Sequence, residues 1–396
     1  MKKSLFTSIL VSLALFFLLS IFIIGNPQNV KYMEIFIFRA IWTIFLTFIM
    51  FMILWTGNIS KYRSIFFTIF AFAFILTFIT HLLETRGSMA LTQEVIDNND
   101  TPLCPVAIPM LILPALFRNT IIFPSKLFGG YYGGFSQIFF MWLISLITLG
   151  RGWCSWGCFY GGIDEGFSKI GKRKIIPSKK IKPWLRFIPF IVLTVIIVWS
   201  FIVMSPVYCQ WLCPLKLVTE YVEITNFKTY IQAIIFITLG MSLLFILPIL
   251  TKKRTHCAFF CPLGAFQSLL GKINPFRIKI DKDKCIKCGK CIDVCPVMAI
   301  NSDLLEKGNV SMTCTKCGKC IEKCPSNAID FHLLGKPLFP GKSENKVINV
   351  LKELIAPSTI FTFMGMLFGG ILSGGSVTSA LFRIYHLFTN GSLLIH

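Results

Sequence analysis

Long apolar runs dominate the chain, and their lengths set the first expectation. Stretches near 5–25, 34–55, 64–83, 136–150, 184–204 and 229–250 approach or exceed the roughly 20 residues a helix needs to cross a bilayer, and a shorter run near 357–373 suggests one more span. The first run follows Lys2 and Lys3, but its apolar core is too long for a signal peptide and no small-x-small cleavage site follows, so it reads as an anchor. Segment 103–128 is also apolar, yet it holds four interior prolines with Arg118 and Lys126. Prolines remove backbone donors that a lipid-facing helix needs, so this segment is expected to be re-entrant or interfacial.

Composition strengthens the membrane reading: 55% of the 396 residues are hydrophobic, only 14% are charged, and Phe alone occurs 40 times. The net charge of +21 does not point to nucleic acid, because the positive residues follow the loops. Lys61 and Arg63 come after the second run. Lys169, Lys172, Arg173, Lys174, Lys179, Lys180, Lys182 and Arg186 come after the fourth, and Lys252, Lys253 and Arg254 after the sixth. The loop after the third holds Glu84, Glu94, Asp97 and Asp100 against Arg86. By the positive-inside rule the N-terminus and residues 251–350 are expected in the cytoplasm.

The cysteines carry the candidate chemistry. Residues 285–296 and 314–325 each read C-x2-C-x2-C-x3-C-P, the run that holds two [4Fe–4S] clusters with the fourth cysteine of each run crossing to the other cluster. One cluster is then expected on Cys285, Cys288, Cys291 and Cys324, the other on Cys314, Cys317, Cys320 and Cys295. Gly289 and Gly318 suit the tight loop. "FRIKI" and "AIDFH" read as flanking strands. Zinc is the competing reading of C-x2-C pairs, but eight cysteines in two matched runs, each ending in proline, favour clusters; a cytoplasmic setting disfavours disulfides.

Three further pairs, Cys154/Cys158, Cys209/Cys213 and Cys257/Cys261, have C-x3-C spacing and follow spans at similar intervals, like a repeated helix-plus-thiol unit. Residues four apart share one face of a helix, so each pair is expected to reach one metal. Alternation puts Cys154, Cys158, Cys257 and Cys261 at the inner membrane edge, enough ligands for a third [4Fe–4S] cluster. Cys104, Cys209 and Cys213 fall at the outer edge as a redox or metal site, with a structural disulfide as competitor and His81 as a less favoured fourth ligand. Trp153, Trp156 and Trp211 read as interfacial tryptophans, Arg118 and Arg151 as snorkelling cations, and His256 as a solvated loop histidine. Five histidines with no facing mid-span pair disfavour a bis-histidine haem. "GGYYGG" at 129–134 is a turn signal.

The C-x3-C-P pairs Cys209–Pro214 and Cys257–Pro262, with the two ferredoxin runs, resemble the membrane polyferredoxins of the NapH/NosR/CcoG type over roughly 136–332. The resemblance implies electron transfer between a membrane or cytoplasmic donor and a reductase, or redox support of metalloenzyme assembly. The chain departs from it in the extra pair Cys154/Cys158, which Phe159 follows in place of proline, and its outer loops are too short for a periplasmic flavin domain.

The expected fold is therefore a polytopic α-helical membrane protein with a small α+β two-cluster ferredoxin domain inserted near the C-terminus. The parts are three N-terminal spans (1–83), an outer loop (84–135), a helical core with the three thiol pairs (136–275), the ferredoxin domain (276–332), and a linker with an apolar tail (333–396). In a bacterial plasma membrane it would relay electrons from an acidic cytoplasmic carrier through two or three clusters to a quinone, reductase or external acceptor. Its only other partner would be the lipid. The rivals are a transmembrane thiol–disulfide reductant and a factor that binds or reduces copper on its outer thiols. One difficulty stands: the inner and outer thiols should lie on opposite faces of a layer about 30 Å thick.

Overall fold

The computed structural model describes residues 2–25, 33–87, 105–118, 133–171, 174–177, 183–216, 224–335 and 345–395. Among the described residues, six helices are long and apolar enough to cross a membrane: Leu5–Ile24, Met33–Thr56, Ile59–Glu84, Trp184–Val203, Phe227–Thr251 and Pro357–Asn390. Within them lie α1 (Leu5–Leu19), α2 (Met33–Thr56), α3 (Ile59–Arg86) and, later in the chain, α7 (Ile188–Val203), α8 (Phe227–Leu239) and α12 (Pro357–Asn390). The tail run is thus a full 34-residue helix, about 50 Å long. Helix α5 (Gly133–Thr148) has 16 residues, about 24 Å, and is shorter than the six candidate spans. Helix α4 (Ile108–Arg118) has only 11 residues, about 16 Å, too short to span; residues 103–104 and 119–128 of the proline-rich segment lie outside the described residues.

Contacts sort the helix ends onto two faces. Lys3 donates to the Leu54 carbonyl at 2.9 Å, and Ser4 and Thr7 donate to Glu353. The start of α1, the end of α2 and the start of α12 therefore share one face. At the other face the Arg383 guanidinium of α12 pairs with Glu84 at the end of α3. Helix α12 runs through the middle of the bundle because its Gly-rich stretch removes side chains where neighbours approach. A Cβ at Gly365 would lie 2.5 Å from the Trp156 ring, and one at Gly369 would collide with the Trp156 carbonyl. Small residues that let backbones close up are the usual basis of helix packing in lipid. Gly369→Val is expected to cost about 1–3 kcal/mol of overpacking, read as a lower melting temperature in detergent.

After α8 the chain continues helically to Thr251, through a π-helical turn at Gly240–Ile246. Strands β1 (Phe276–Ile280) and β2 (Ile329–Leu333) then pair antiparallel, Phe276 opposite Leu333 and Ile280 opposite Ile329. These are the two segments expected to be strands. They enclose the two cysteine runs and dock rigidly on the bundle. Phe331 stacks on Phe361 of α12 at 4.7 Å, and Phe276 meets the same ring edge-on at 5.6 Å. Glu322 accepts from the backbone of Ser60 and Lys61 at the start of α3, and Lys316 donates to the Leu149 carbonyl at 3.0 Å. The amphipathic helix α11 (Lys346–Ile355) leaves Val347 and Leu351 exposed on the same face, as a helix lying in a membrane interface does.

Candidate functional site

The two cysteine runs fold into matched loops. Lys287, Gly289 and Met298 in the first run, and Lys316, Gly318 and Asn327 in the second, all have φ between 51° and 81°. Each sits at the same offset from its cysteines. Left-handed backbone at these points curls each loop inward, which explains the glycine at the tightest turn. A Cβ at Gly318 would also touch Ile59 at 3.0 Å. Each loop closes on a small cavity. One is lined by Cys285, Cys288, Cys291 and Cys324, the other by Cys295, Cys314, Cys317 and Cys320. The fourth cysteine of each run therefore crosses to the other loop.

Backbone N–H groups point at the sulfurs: Ala299 donates to Cys295 Sγ at 3.2 Å, and Ala328 to Cys324 Sγ at 3.3 Å. Such bonds stabilise thiolates and tune a cluster's potential. Among the described residues no three Cys, His, Asp or Glu side chains converge as a single ion would require. Four thiols lining one small cavity suit a cubane.

The membrane cysteines are arranged differently from the expectation. No pair lies on one helix face. Cys154 sits in the single turn Trp153–Trp156, the chain breaks at Gly157, and Cys158 precedes helix α6 (Phe159–Ser168) in an extended conformation. Cys257 lies in helix α9 (Thr255–Phe259), and Cys261 caps helix α10 (Pro262–Leu270), again extended. Each pair thus straddles a bend, and each bend is the tip of a hairpin that re-enters the bundle. Gly152 abuts Phe361 of α12 and Gly157 abuts Leu372, an advance of about 16 Å along that helix. The chain then returns beside α3, with Gly162 against Phe67 and Ala71. Thr255 likewise donates to the Leu243 carbonyl at 2.7 Å, about 12 Å above the end of that span. The third hairpin enters from the opposite face, and the Pro214 carbonyl lies 2.6 Å from a Cβ position at Gly240, the middle of span Phe227–Thr251.

The first two hairpins bring Cys154, Cys158, Cys257 and Cys261 together, all buried and close enough to feel one another's charge. The Arg254 guanidinium ties them: it donates to the Cys154 carbonyl, to Ser155 Oγ at 2.7 Å and to Cys257 Sγ at 3.4 Å. Asp164 accepts from the N–H groups of Thr255 and Cys257 at 3.0 Å each, joining the two hairpins directly. Cys154 Sγ meets Gln267 Oε1 at 2.9 Å. Glu165 accepts from Arg63 at 2.6 and 2.8 Å and lies 3.9 Å from Arg254.

Arg63, Arg151, Lys253, Arg254 and Lys316 are all buried at this junction, against only Asp164 and Glu165 as buried carboxylates. Uncompensated buried charge costs several kcal/mol per ion. Anionic thiolate chemistry at the neighbouring cysteines is of the sign that would balance it. Burial lowers the Lys316 ammonium to about 7, with the Cys314 thiol opposing this and Arg277 adding to it. Burial also lowers Lys253 to about 8; its Nζ donates to the Cys295 and Asp293 carbonyls at 2.7 Å.

Cys257 packs in one apolar cluster with Cys295, Val297 and Ala299, with Cys314 against its edge. The four-thiol site therefore adjoins the second ferredoxin cavity, while Cys288 in the first is exposed. On the other side, Tyr160 hydroxyl meets Cys213 Sγ at 3.1 Å, and its ring stacks on His256 at 5.1 Å. Cys213 is buried and Cys209 half-buried; Cys104 lies outside the described residues, as does most of 129–134. His81 is exposed, beside the Glu84 end of α3.

Several readings need correction. Trp153 and Trp156 are buried, not interfacial, because their hairpin enters the bundle. Arg151 does not snorkel: it is 3% exposed and donates to Ser268 Oγ and the Cys257 carbonyl at 2.7 and 3.0 Å. His256 is fully buried instead of solvated. Asp164, Glu165, Tyr160 and Gln267 were not anticipated. The one available signal was the adjacent acid pair in apolar "GGIDEGF", six residues past a thiol pair.

Comparisons with known proteins agree with this organisation. The 4Fe-4S dicluster domain family matches residues 277–325. The 4Fe-4S binding domain family matches three times, at 132–177, 185–231 and 233–282, once for each thiol hairpin. The putative electron transport protein YccM of Escherichia coli is 26% identical over 43% of this chain and 48% of its own length. The methylamine utilization ferredoxin-type protein MauN of Methylobacillus flagellatus is 27% identical over 23% and 48%. The ferredoxin-type protein NapH of Haemophilus influenzae is 25% identical over 26% and 51%. The chain thus spans about half the length of each of these relatives. No solved structure matches it.

Proposed function

We propose that this NapH-type polyferredoxin relays single electrons between a carrier at its ferredoxin face and an acceptor in or beyond the membrane. Cys285, Cys288, Cys291 and Cys324 would hold one [4Fe–4S] cluster, and Cys295, Cys314, Cys317 and Cys320 a second. Cys154, Cys158, Cys257 and Cys261 would hold a third. The clusters supply one-electron storage. The chain supplies the rest: crossed ligation, N–H donors to sulfur, buried guanidiniums and dry walls.

The observation that carries the proposal is the continuity of the sites. An exposed thiol loop lies next to a buried one, which packs on the four-thiol site; that site leads through Tyr160 to Cys213. The hairpins also ease the distance difficulty, because Tyr160, next to the inner thiols, reaches Cys213 at 3.1 Å. A plasma-membrane location with the ferredoxin domain in the cytoplasm accords with the basic loops, and an acidic carrier would suit that face.

Proteoliposomes holding ferricyanide, supplied outside with a reduced soluble ferredoxin, test the relay. Ferricyanide should be reduced only when the protein is present, and Cys257→Ser should stop it. Equal rates in the variant would sink the relay. Tyr160→Phe keeps the ring on His256 but removes the hydroxyl at Cys213, so iron content should hold while ferricyanide reduction slows. Loss of activity on alkylating reduced Cys209 and Cys213, with iron unchanged, would instead favour thiol–disulfide exchange.

A further inference from the structure

A cavity of about 300 Å3 opens where the ferredoxin domain meets the bundle, and its wall is unusually cationic. Arg151 and Lys316 form its inner side, and Lys272, Arg277 and Lys279 its mouth; no carboxylate lines it. The hydrogen bonds of Arg277, Lys279 and Lys316 go to neutral oxygens. Arg277 donates to the Gly271 and Lys272 carbonyls at 2.9 and 2.7 Å, and Lys279 to Asn309 Oδ1 at 2.6 Å. Lys316 donates to the Leu149 carbonyl and Asn274. Arg151 Nε is buried with no hydrogen-bond partner.

The iron–sulfur sites account for only part of this charge. Cys314 lines the same wall, where Arg151 and Lys316 also face the thiols; Lys272, Arg277 and Lys279 belong to β1 and the turn before it, and Arg277 and Lys279 donate to backbone and Asn309 oxygens. Their like charges, held around a hole large enough for a small anion, cost free energy unless something negative enters. The rim says what kind of anion. Leu269 and Ile273, on the turn that supplies Gly271 and Lys272, are 45% and 69% exposed, and Met312 at the wall is 51% exposed. A polyvalent soluble anion has no use for that apolar edge. A phosphate-bearing head group with acyl chains does, and basic pockets at the edge of helical bundles bind such head groups.

We propose that this cavity binds the phosphate of an anionic phospholipid, with the acyl chains lying over Leu269 and Ile273. The site is separate from the electron-relay reading and stands or falls on lipid retention alone.

Protein purified in a neutral maltoside detergent would be exchanged into mixtures of phosphatidylglycerol and phosphatidylcholine, repurified, and assayed for retained phospholipid by native mass spectrometry. Inorganic pyrophosphate would be tested in parallel. About one phosphatidylglycerol per chain should remain, preferred at least tenfold over phosphatidylcholine. Arg277→Gln with Lys279→Gln should abolish this preference with iron content unchanged. Lys307→Gln with Lys323→Gln, an equal charge change elsewhere on the domain, should not. Equal retention of the two lipids by unmutated protein would overturn the proposal, as would full retention in the cavity variant. Retention of pyrophosphate without preference for phosphatidylglycerol would overturn the lipid assignment in favour of a soluble phosphate. Should the cavity variant lose iron, the preference in unmutated protein decides by itself.

Discussion

Anaerobically purified protein is expected to carry about twelve irons and as many acid-labile sulfides per chain, and its Cys257→Ser variant about eight. The reason is local. Cys257 is the thiol that Arg254 touches, and its own N–H is held by Asp164, so serine there removes a ligand while leaving the hairpins joined. The ferredoxin loops are a separate construction closed by their own left-handed turns, and their eight irons should survive. A wild-type value of about eight would mean that the membrane thiols hold no cluster. The thiol–disulfide and copper readings would then lead, distinguished by alkylation of Cys209 and Cys213 and by copper retention.

Removing Glu165 should do more damage than removing any surface charge. Its carboxylate is the acidic partner of Arg63, whose other guanidinium nitrogen donates to the Ser155 carbonyl at 2.6 Å, and it lies near Arg254 as well. Glu165→Ala leaves two buried guanidiniums without that partner, a loss of about 3–5 kcal/mol. The expected result is a large drop in melting temperature in detergent together with loss of the third cluster, because Arg254 also orients Ser155 and Cys257. Replacing both charges, Arg63→Met with Glu165→Leu, should recover much of the stability, since an apolar pair of similar volume avoids the buried charge. Equal melting of Glu165→Ala and the unmutated protein would show that the ion network contributes nothing to the fold.

The spans and ferredoxin loops were legible because each rests on a local rule. Apolar run length marks a crossing, and C-x2-C-x2-C-x3-C-P fixes which thiols share a loop; the crossing of Cys324 and Cys295 follows from the same run. The hairpins were not legible, because a thiol pair after a span reads the same whether the helix ends or the chain turns back. What decides it is non-local: Gly157 against Leu372, Pro214 against Gly240, Trp156 against Gly365 and Gly369. The same ambiguity misread Arg151, Trp153, Trp156 and His256, each of which looks interfacial until its hairpin is seen to enter the bundle. The repeat itself was visible in the spacing of the pairs. The guanidinium and carboxylate partners that join the repeats come from segments about a hundred residues apart, and no periodicity reports them.

The hairpins that enter from opposite faces have an electrical meaning. An electron passed from the four-thiol site toward Cys213 moves along the membrane normal, so the transmembrane voltage acts on it directly. A full crossing is worth about 2.3 kcal/mol per 100 mV, assisting outward transfer when the ferredoxin face is negative and opposing it when the polarity is reversed. Driven outward, the relay would draw down an existing membrane potential; driven inward by a strong enough external reductant, it would charge the membrane without moving a proton. If the proposed relay runs through Tyr160 to Cys213, the same geometry would couple its redox balance to the energy state of the bilayer.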